Sequence, residues 1–247
     1  MTEPTIELPP LAAPVDELWH VLLDLGEQLT VGWALVGGQM VLLHALEHGR
    51  VPPQISQDVD VVADVRTRPS AVRDVVAALG AAGFEPNTPS ADGIARRCSR
   101  PAEPRSVVVD VLAPEGLPAD TQLLVTAPPN RTIEFPGGTQ ALARTETVTV
   151  VHEGRVGHLP RPTLLAALVL KAAASGVDHD PARHLRDLAL LCALVEDPFE
   201  MRDQLTRKDL RRLRQPTALH DPAHPAWALV PGDIRSNGRA TLAILTG

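Results

Sequence analysis

One carboxylate interrupts an otherwise unbroken apolar run, Val107-Val-Val-Asp110-Val111-Leu112, and this run constrains the fold more than any other segment. Its β-branched residues favour a strand. A strand that is apolar at successive positions, not only at alternate ones, belongs to a sheet covered on both faces. Other elements must supply that cover, and they do so with aliphatic side chains, because the 247 residues include three Phe, three Trp and no Tyr. So few aromatics also argue against single-strand nucleic-acid binding on stacked ring platforms. A carboxylate in such a strand costs free energy unless it pairs with a cation, takes up a proton or holds a metal.

The rest of the chain supplies partners for that strand. Leucines at helical spacing predict a helix over 15–29, Trp33–Val36 reads as a short buried strand ending at Gly37-Gly38, and a helix follows over 39–48. Asp58–Ala63 reads as a second strand, 69–83 as a helix opened by Pro and closed by Gly, and 147–151 as a further strand. Beyond Pro160-Arg-Pro162 the pattern turns helical, over 163–175, 182–195, 201–214 and a shorter terminal segment over 238–245. The expected class is α/β: a lobe with a small mixed sheet over 1–158, its Pro-rich first 14 residues a loose arm, followed by a helical lobe over 159–247.

Charge and cysteine usage narrow the function classes. Residues 1–49 carry seven acids and no Lys or Arg, whereas the remaining 23 acidic residues are balanced by 23 basic ones. The acidic leading segment repels nucleic acid, while the balanced remainder leaves room for local basic patches. Only Lys171 and Lys208 are lysines, so the basic surface is built from arginine. Cys98 and Cys192 show neither zinc-type spacing nor a disulfide framework. The Met-Thr-Glu-Pro start lacks the features of a secretory signal, and the longest apolar run, Leu164–Ala174, is too short to span a bilayer. The expectation is a cytoplasmic protein with no membrane partner.

Two further carboxylates accompany Asp110. In a strand Asp58-Val-Asp60, side chains alternate, so Asp58 and Asp60 share one face while Val59 and Val61 enter the core. If this strand neighbours the one bearing Asp110, three carboxylates converge. Hard oxygen ligands of that kind suit Mg²⁺ together with substrate phosphates, and such ions activate an attacking oxygen and stabilise leaving pyrophosphate. The competing reading is structural: Asp58 caps a loop, Asp60 faces solvent and Asp110 pairs with an arginine. Gly37-Gly38, lying between a strand and a helix start, allows close approach of an anion to backbone N–H groups.

The ordered set Leu35-Val36-Gly37-Gly38, Ser56-Gln57-Asp58-Val59-Asp60 and Val109-Asp110-Val111 resembles the Gly-Gly…Asp-x-Asp…Asp signature of the DNA polymerase β-type nucleotidyltransferases. With His44 and Arg50 between its first two parts, it is most similar to the AbiEii/AbiGii toxin family. The resemblance implies that Asp58 and Asp60 bind the metal, Asp110 supplies the third carboxylate, and Gly37 and Gly38 contact a triphosphate. Gln39 stands where that family often has Ser or Thr.

Lys171 lies in an apolar helix, where a buried ammonium needs an anion. Retaining Lys in an arginine-biased chain suits a compact charge that reaches a phosphate. Asp187, one helix on, is placed to orient Lys171 or to hold nucleotide or acceptor. The structural alternative is an Arg183–Asp187 pair with Lys171 reaching water. The toxin family carries a Lys followed one helix later by a Lys/Arg-Asp pair, which Lys171 and Arg186-Asp187 resemble; by resemblance Lys171 binds the triphosphate and Asp187 assists catalysis. Leu190 replaces a second Asp that is common in the family. His179-Asp180 suggests a metal phosphohydrolase doublet, but in a turn. The predicted helix 201–214, with Arg202, Arg207, Lys208, Arg211, Arg212 and Arg214 against Asp203 and Asp209, suits either an RNA backbone or a solvated face.

Together these residues predict an Mg²⁺-dependent nucleotidyltransferase that moves a nucleoside monophosphate from an NTP to an acceptor hydroxyl. The family resemblance suggests a tRNA 3′ end as acceptor, with the protein as the toxin of a toxin–antitoxin pair and an antitoxin protein as partner. Transfer to a small molecule or a protein, and a catalytically silent partner-binding relative, are the alternatives.

Overall fold

The computed structural model describes residues 4–117, 125–127, 130–178 and 180–247. The chain forms two compact units, Met1–Met40 with Ile55–Pro162, and Val41–Gln54 with Thr163–Gly247. In chain order the first unit holds β1 (Thr5–Glu7), α1 (Val15–Gln28), β2 (Trp33–Val36) and the start of α2 (Gly37–Glu47). Next come β3 (Val59–Ala63), α3 (Ala71–Ala81), β4 (Glu85–Pro86), β5 (Arg97–Arg100) and β6 (Val107–Pro114). The unit closes with β7 (Val125–Ala127), β8 (Asn130–Arg131), β9 (Glu134–Phe135), α4 (Gly138–Ala143), β10 (Thr145–His152) and β11 (Arg155–Pro162).

The main sheet has the order β2-β3-β6-β5-β4, with β9 pairing the end of β6. It is mixed: β3 and β6 run parallel, while β2–β3, β6–β5 and β5–β4 are antiparallel. The central strand β6 is buried at seven of its eight positions, as its unbroken apolar run requires. A second sheet, β1-β10-β11, packs its β11 against α1 and β2. In α1, Leu18, Trp19, Leu22 and Leu23 are buried together at helical spacing.

Two features depart from the sequence expectation here. Residues 5–7 are not part of a loose arm: Thr5–Glu7 is a strand parallel to Thr149–Val151, because Ile6 between two exposed neighbours gives it one apolar face, 2 % exposed. Asp58 precedes β3 instead of opening it, and is exposed.

The second unit adds α5 (Leu164–Ser175), α6 (Ala182–Ala193), α7 (Pro198–Asp203), α8 (Arg207–Leu213), α9 (Pro225–Ala228) and α10 (Arg235–Thr246) to the segment Val41–Gln54. Helix α5 packs on α6 and α8, and α10 on α6, α7 and α8. Trp227 is fully buried, and its indole N–H donates to the Leu219 carbonyl at 3.0 Å. Among the described residues, no helix is long and apolar enough to cross a membrane.

The basic segment 201–214 is not one helix. It breaks between α7 and α8, where Thr206 and Asp209 form a capping box: the Asp209 N–H donates to Thr206 Oγ1 at 3.2 Å and the Thr206 N–H to Asp209 Oδ2 at 3.0 Å. Its arginines are partly structural. Arg202 Nη2 donates to the Gly247 carbonyl at 2.7 Å, Arg214 Nε to the Thr246 carbonyl at 2.9 Å, and Arg212 is buried. Positive groups at these last carbonyls complement the C-terminal end of α10. Thr206→Ala removes the cap and is expected to lower the unfolding free energy by about 1 kcal/mol, read as a shifted urea midpoint with unchanged slope.

Candidate active site

The register of the main sheet sets the first group of side chains. Asp60 of β3 lies directly beside Asp110 of β6, Val36 of β2 beside Asp60, and Arg97 of β5 beside Asp110. Residues opposed across neighbouring strands point to the same face, their strands roughly 4.8 Å apart. One row thus runs across four strands as Val36, Asp60, Asp110, Arg97. The parallel pairing of β3 and β6 brings two of the three expected carboxylates together, and Asp58 stands at the margin, two residues before Asp60.

Asp110 is 5 % exposed. Its charge is met by Arg97, which donates from Nε to Oδ1 at 2.9 Å and from Nη2 to Oδ2 at 3.1 Å, a two-pronged pair; Arg96 Nε stands 3.5 Å from Oδ2. The bond to Asp110 holds the Arg97 guanidinium above its ordinary pKa against the opposing effect of burial, and the charges of Asp58 and Asp60 add to it. Arg97 is therefore the common electrostatic neighbour of all three acids. Sequence reasoning missed it, since Arg97-Cys-Ser-Arg100 has little β-branched character; the paired arginines flanking a short apolar position were the available signal. Cys98, on the same strand, is buried, and burial, with the Asp110 charge, pushes its thiol up to about 11, which disfavours the thiolate.

The Gly-Gly pair serves the same row. Gly37 has φ +72°, and a Cβ there would stand 2.0 Å from Asp60 Oδ2; a Cβ on Gly38 would stand 2.4 Å from the Ser56 Cβ. The start of α2 can therefore close on β3 and on the 56–58 loop only without side chains. Gln39, fully buried, ties the same loop down, its Nε2 donating to the Ser56 carbonyl at 2.7 Å. That bond gives Gln39 a structural role at the start of α2.

Within the second unit, Lys171 is 4 % exposed and its Nζ donates to Asp187 Oδ2 at 2.6 Å. The ammonium thus pairs with Asp187 and does not reach past it to water. Arg183 binds Asp178 instead, Nη2 to Oδ2 at 2.6 Å, and Asp178 also meets His184 Nε2 at 2.8 Å. Burial disfavours ionised Asp178, but bonds from the Asp180 N–H, His184 and Arg183 outweigh it and hold its pKa well below the carboxylate range. Burial lowers the His184 pKa and the Lys171 charge lowers it further. Arg186 and Asp187 line a pocket with Pro52, Pro53, Leu190 and Leu229. Of the His179-Asp180 doublet, His179 lies outside the described residues, and Asp180 Oδ1 accepts from the Ala182 N–H at 3.3 Å.

No protein-family model matches the chain, and no curated protein matches it in sequence. A solved structure does match, the crystal structure of an antigenic nucleotidyltransferase-like protein from Paracoccidioides brasiliensis, with a TM-score of 0.54 and 15% identity over 94% of this chain and 95% of that one. The fold is nucleotidyltransferase-like.

Gly37→Ala tests the close approach of α2 to Asp60. The strained φ and the overlap with Asp60 are expected to cost about 2 kcal/mol or more. Gly80→Ala, inside α3 with open space around the new methyl, is expected to stabilise by roughly 0.5–1 kcal/mol. Denaturant unfolding of both variants measures the contrast.

Proposed function

We propose that the chain is an Mg²⁺-dependent nucleotidyltransferase that joins a nucleoside monophosphate from an NTP to an acceptor hydroxyl and releases pyrophosphate. The observation that carries this reading is the Asp60–Asp110 row, closed on one side by Gly37, within a nucleotidyltransferase-like fold. The donor set fits a hard divalent cation: three carboxylates against the two guanidinium groups of Arg97 and Arg96 still leave net negative charge for an ion to balance. Asp58 and Asp60 would hold the ion, with Asp110 as third ligand or base. When bound, the ion would supply neutralising charge for the attacking and leaving oxygens.

The chain's own groups do the positioning. Gly37 and Gly38 present backbone without side chains to the triphosphate. Lys171 is proposed to bind its phosphates, with Asp187 holding the ammonium in place until it does so and assisting catalysis. Arg97 fixes the orientation of the Asp110 carboxylate. Charge placement and alignment of this kind carry most of phosphoryl-group transfer. The family resemblance extends the proposal to a tRNA 3′ end as acceptor, and to a cytoplasmic toxin neutralised by an antitoxin protein.

A second reading has an observation of its own. Arg97 occupies both oxygens of Asp110, as it would in a catalytically silent relative that keeps the fold to bind a partner. Calorimetric titration of each NTP with and without Mg²⁺, followed by transfer of α-labelled NTP to RNA, protein and small hydroxyl compounds, separates the readings. The enzyme is expected to bind NTP only with Mg²⁺ and to label RNA, with a loss of about 100-fold or more in the Asp58→Ala/Asp60→Ala double variant. A wild-type chain that binds no NTP in either condition is the silent relative.

A further inference from the structure

Away from the carboxylate row, four potential metal ligands meet where α1 passes the β10–β11 hairpin. Asp16 and His20 lie one turn apart on α1, and His152 and Glu153 are adjacent at the end of β10. One ligand atom from each lies within 4.8 Å of all the others. His152, 1 % exposed, places Nε2 at 2.8 Å from Asp16 Oδ1; His20 Nε2 is 3.4 Å from Glu153 Oε2; the imidazole centroids are 4.9 Å apart. Ligands about 2.0–2.2 Å from a tetrahedral ion stand roughly 3.3–3.6 Å from one another, close to the 2.8 and 3.4 Å pairs and the 4.8 Å bound found here.

Charge and backbone point the same way. Acting as metal ligands, two carboxylates and two imidazoles would together carry −2, the complement of a divalent ion. The arginine that comes near, Arg155, is engaged with Asp24 at 2.7 Å and Glu27 at 3.0 Å. The hairpin turns through Glu153 and Gly154, at φ 48° and 79°. Such a turn favours Asn-Gly or Gly-Gly, and Glu at its first position bears a conformational cost that its carboxylate position accounts for.

We infer that Asp16, His20, His152 and Glu153 form a binding site for a divalent transition metal of the Zn²⁺ type, fastening the start of α1 to the β10–β11 hairpin. Two imidazoles select such ions over Mg²⁺, which separates this site from the proposed nucleotide site and makes it independent of that reading.

The probes are Zn²⁺ and Co²⁺ alone, added to the metal-stripped chain. The expected result is one equivalent of Zn²⁺ bound, a raised melting temperature, and the intense visible absorption of tetrahedral Co²⁺. His20→Ala and Glu153→Asn are expected to weaken binding at least as much as the 10–100-fold that loss of an outer-shell partner costs. Glu153→Asn also installs the favoured Asn-Gly turn, so its metal-free melting temperature is expected to hold or rise, which separates lost binding from lost folding. Failure of the wild-type chain to bind either ion, or binding that is unchanged in both variants, overturns the assignment.

Discussion

Asp110 lies in a strand covered on both faces, and its burial is tolerable because Arg97 reaches it from the neighbouring strand with two hydrogen bonds of 2.9 and 3.1 Å. Much of the first unit follows from that requirement. The guanidinium comes from β5, which pairs with β6 despite a polar sequence. On the other side, parallel pairing with β3 sets Asp60 level with Asp110, and the like charges are tolerable because Arg97 lies within reach of both. Closing α2 onto Asp60 then leaves no room for side chains at Gly37 and Gly38.

The elements that could be read from the sequence are those whose pattern matches their burial. The helices at 15–28, 71–81, 164–175 and 182–193 announce themselves by apolar spacing and end signals, and β3 and β6 by β-branched residues. The strands that could not be read have other reasons to be strands. β11 contains Gly157, Pro160 and Pro162, which speak against a strand in isolation; it is an edge of its sheet, where proline's missing N–H costs no ladder bond. β5 is held by its neighbours and its salt bridge, and neither shows in local composition. The break between α7 and α8 was written in Thr206 and Asp209, but a dense run of arginines obscured it.

The site divides in the same way. Lys171 stood out as a rare lysine in an apolar helix, and its pairing with Asp187 follows from the cost of a buried ammonium. Asp60 and Asp110 stood out as acids in apolar strands. Arg97 and His184 did not, because each matters through residues far away in sequence or through burial that a linear pattern does not display. The Asp16, His20, His152 and Glu153 cluster was invisible for the same reason, since two of its members sit more than a hundred positions from the other two.

Neither compact unit is an uninterrupted stretch of polypeptide, for Val41–Gln54 belongs with the C-terminal helices. A ribosome releases that short piece long before the helices it joins. Cutting the gene between Pro162 and Thr163 would leave the helical unit without Val41–Gln54, which stays with the other fragment. Recombination at a junction near Pro162 would likewise split the helical unit.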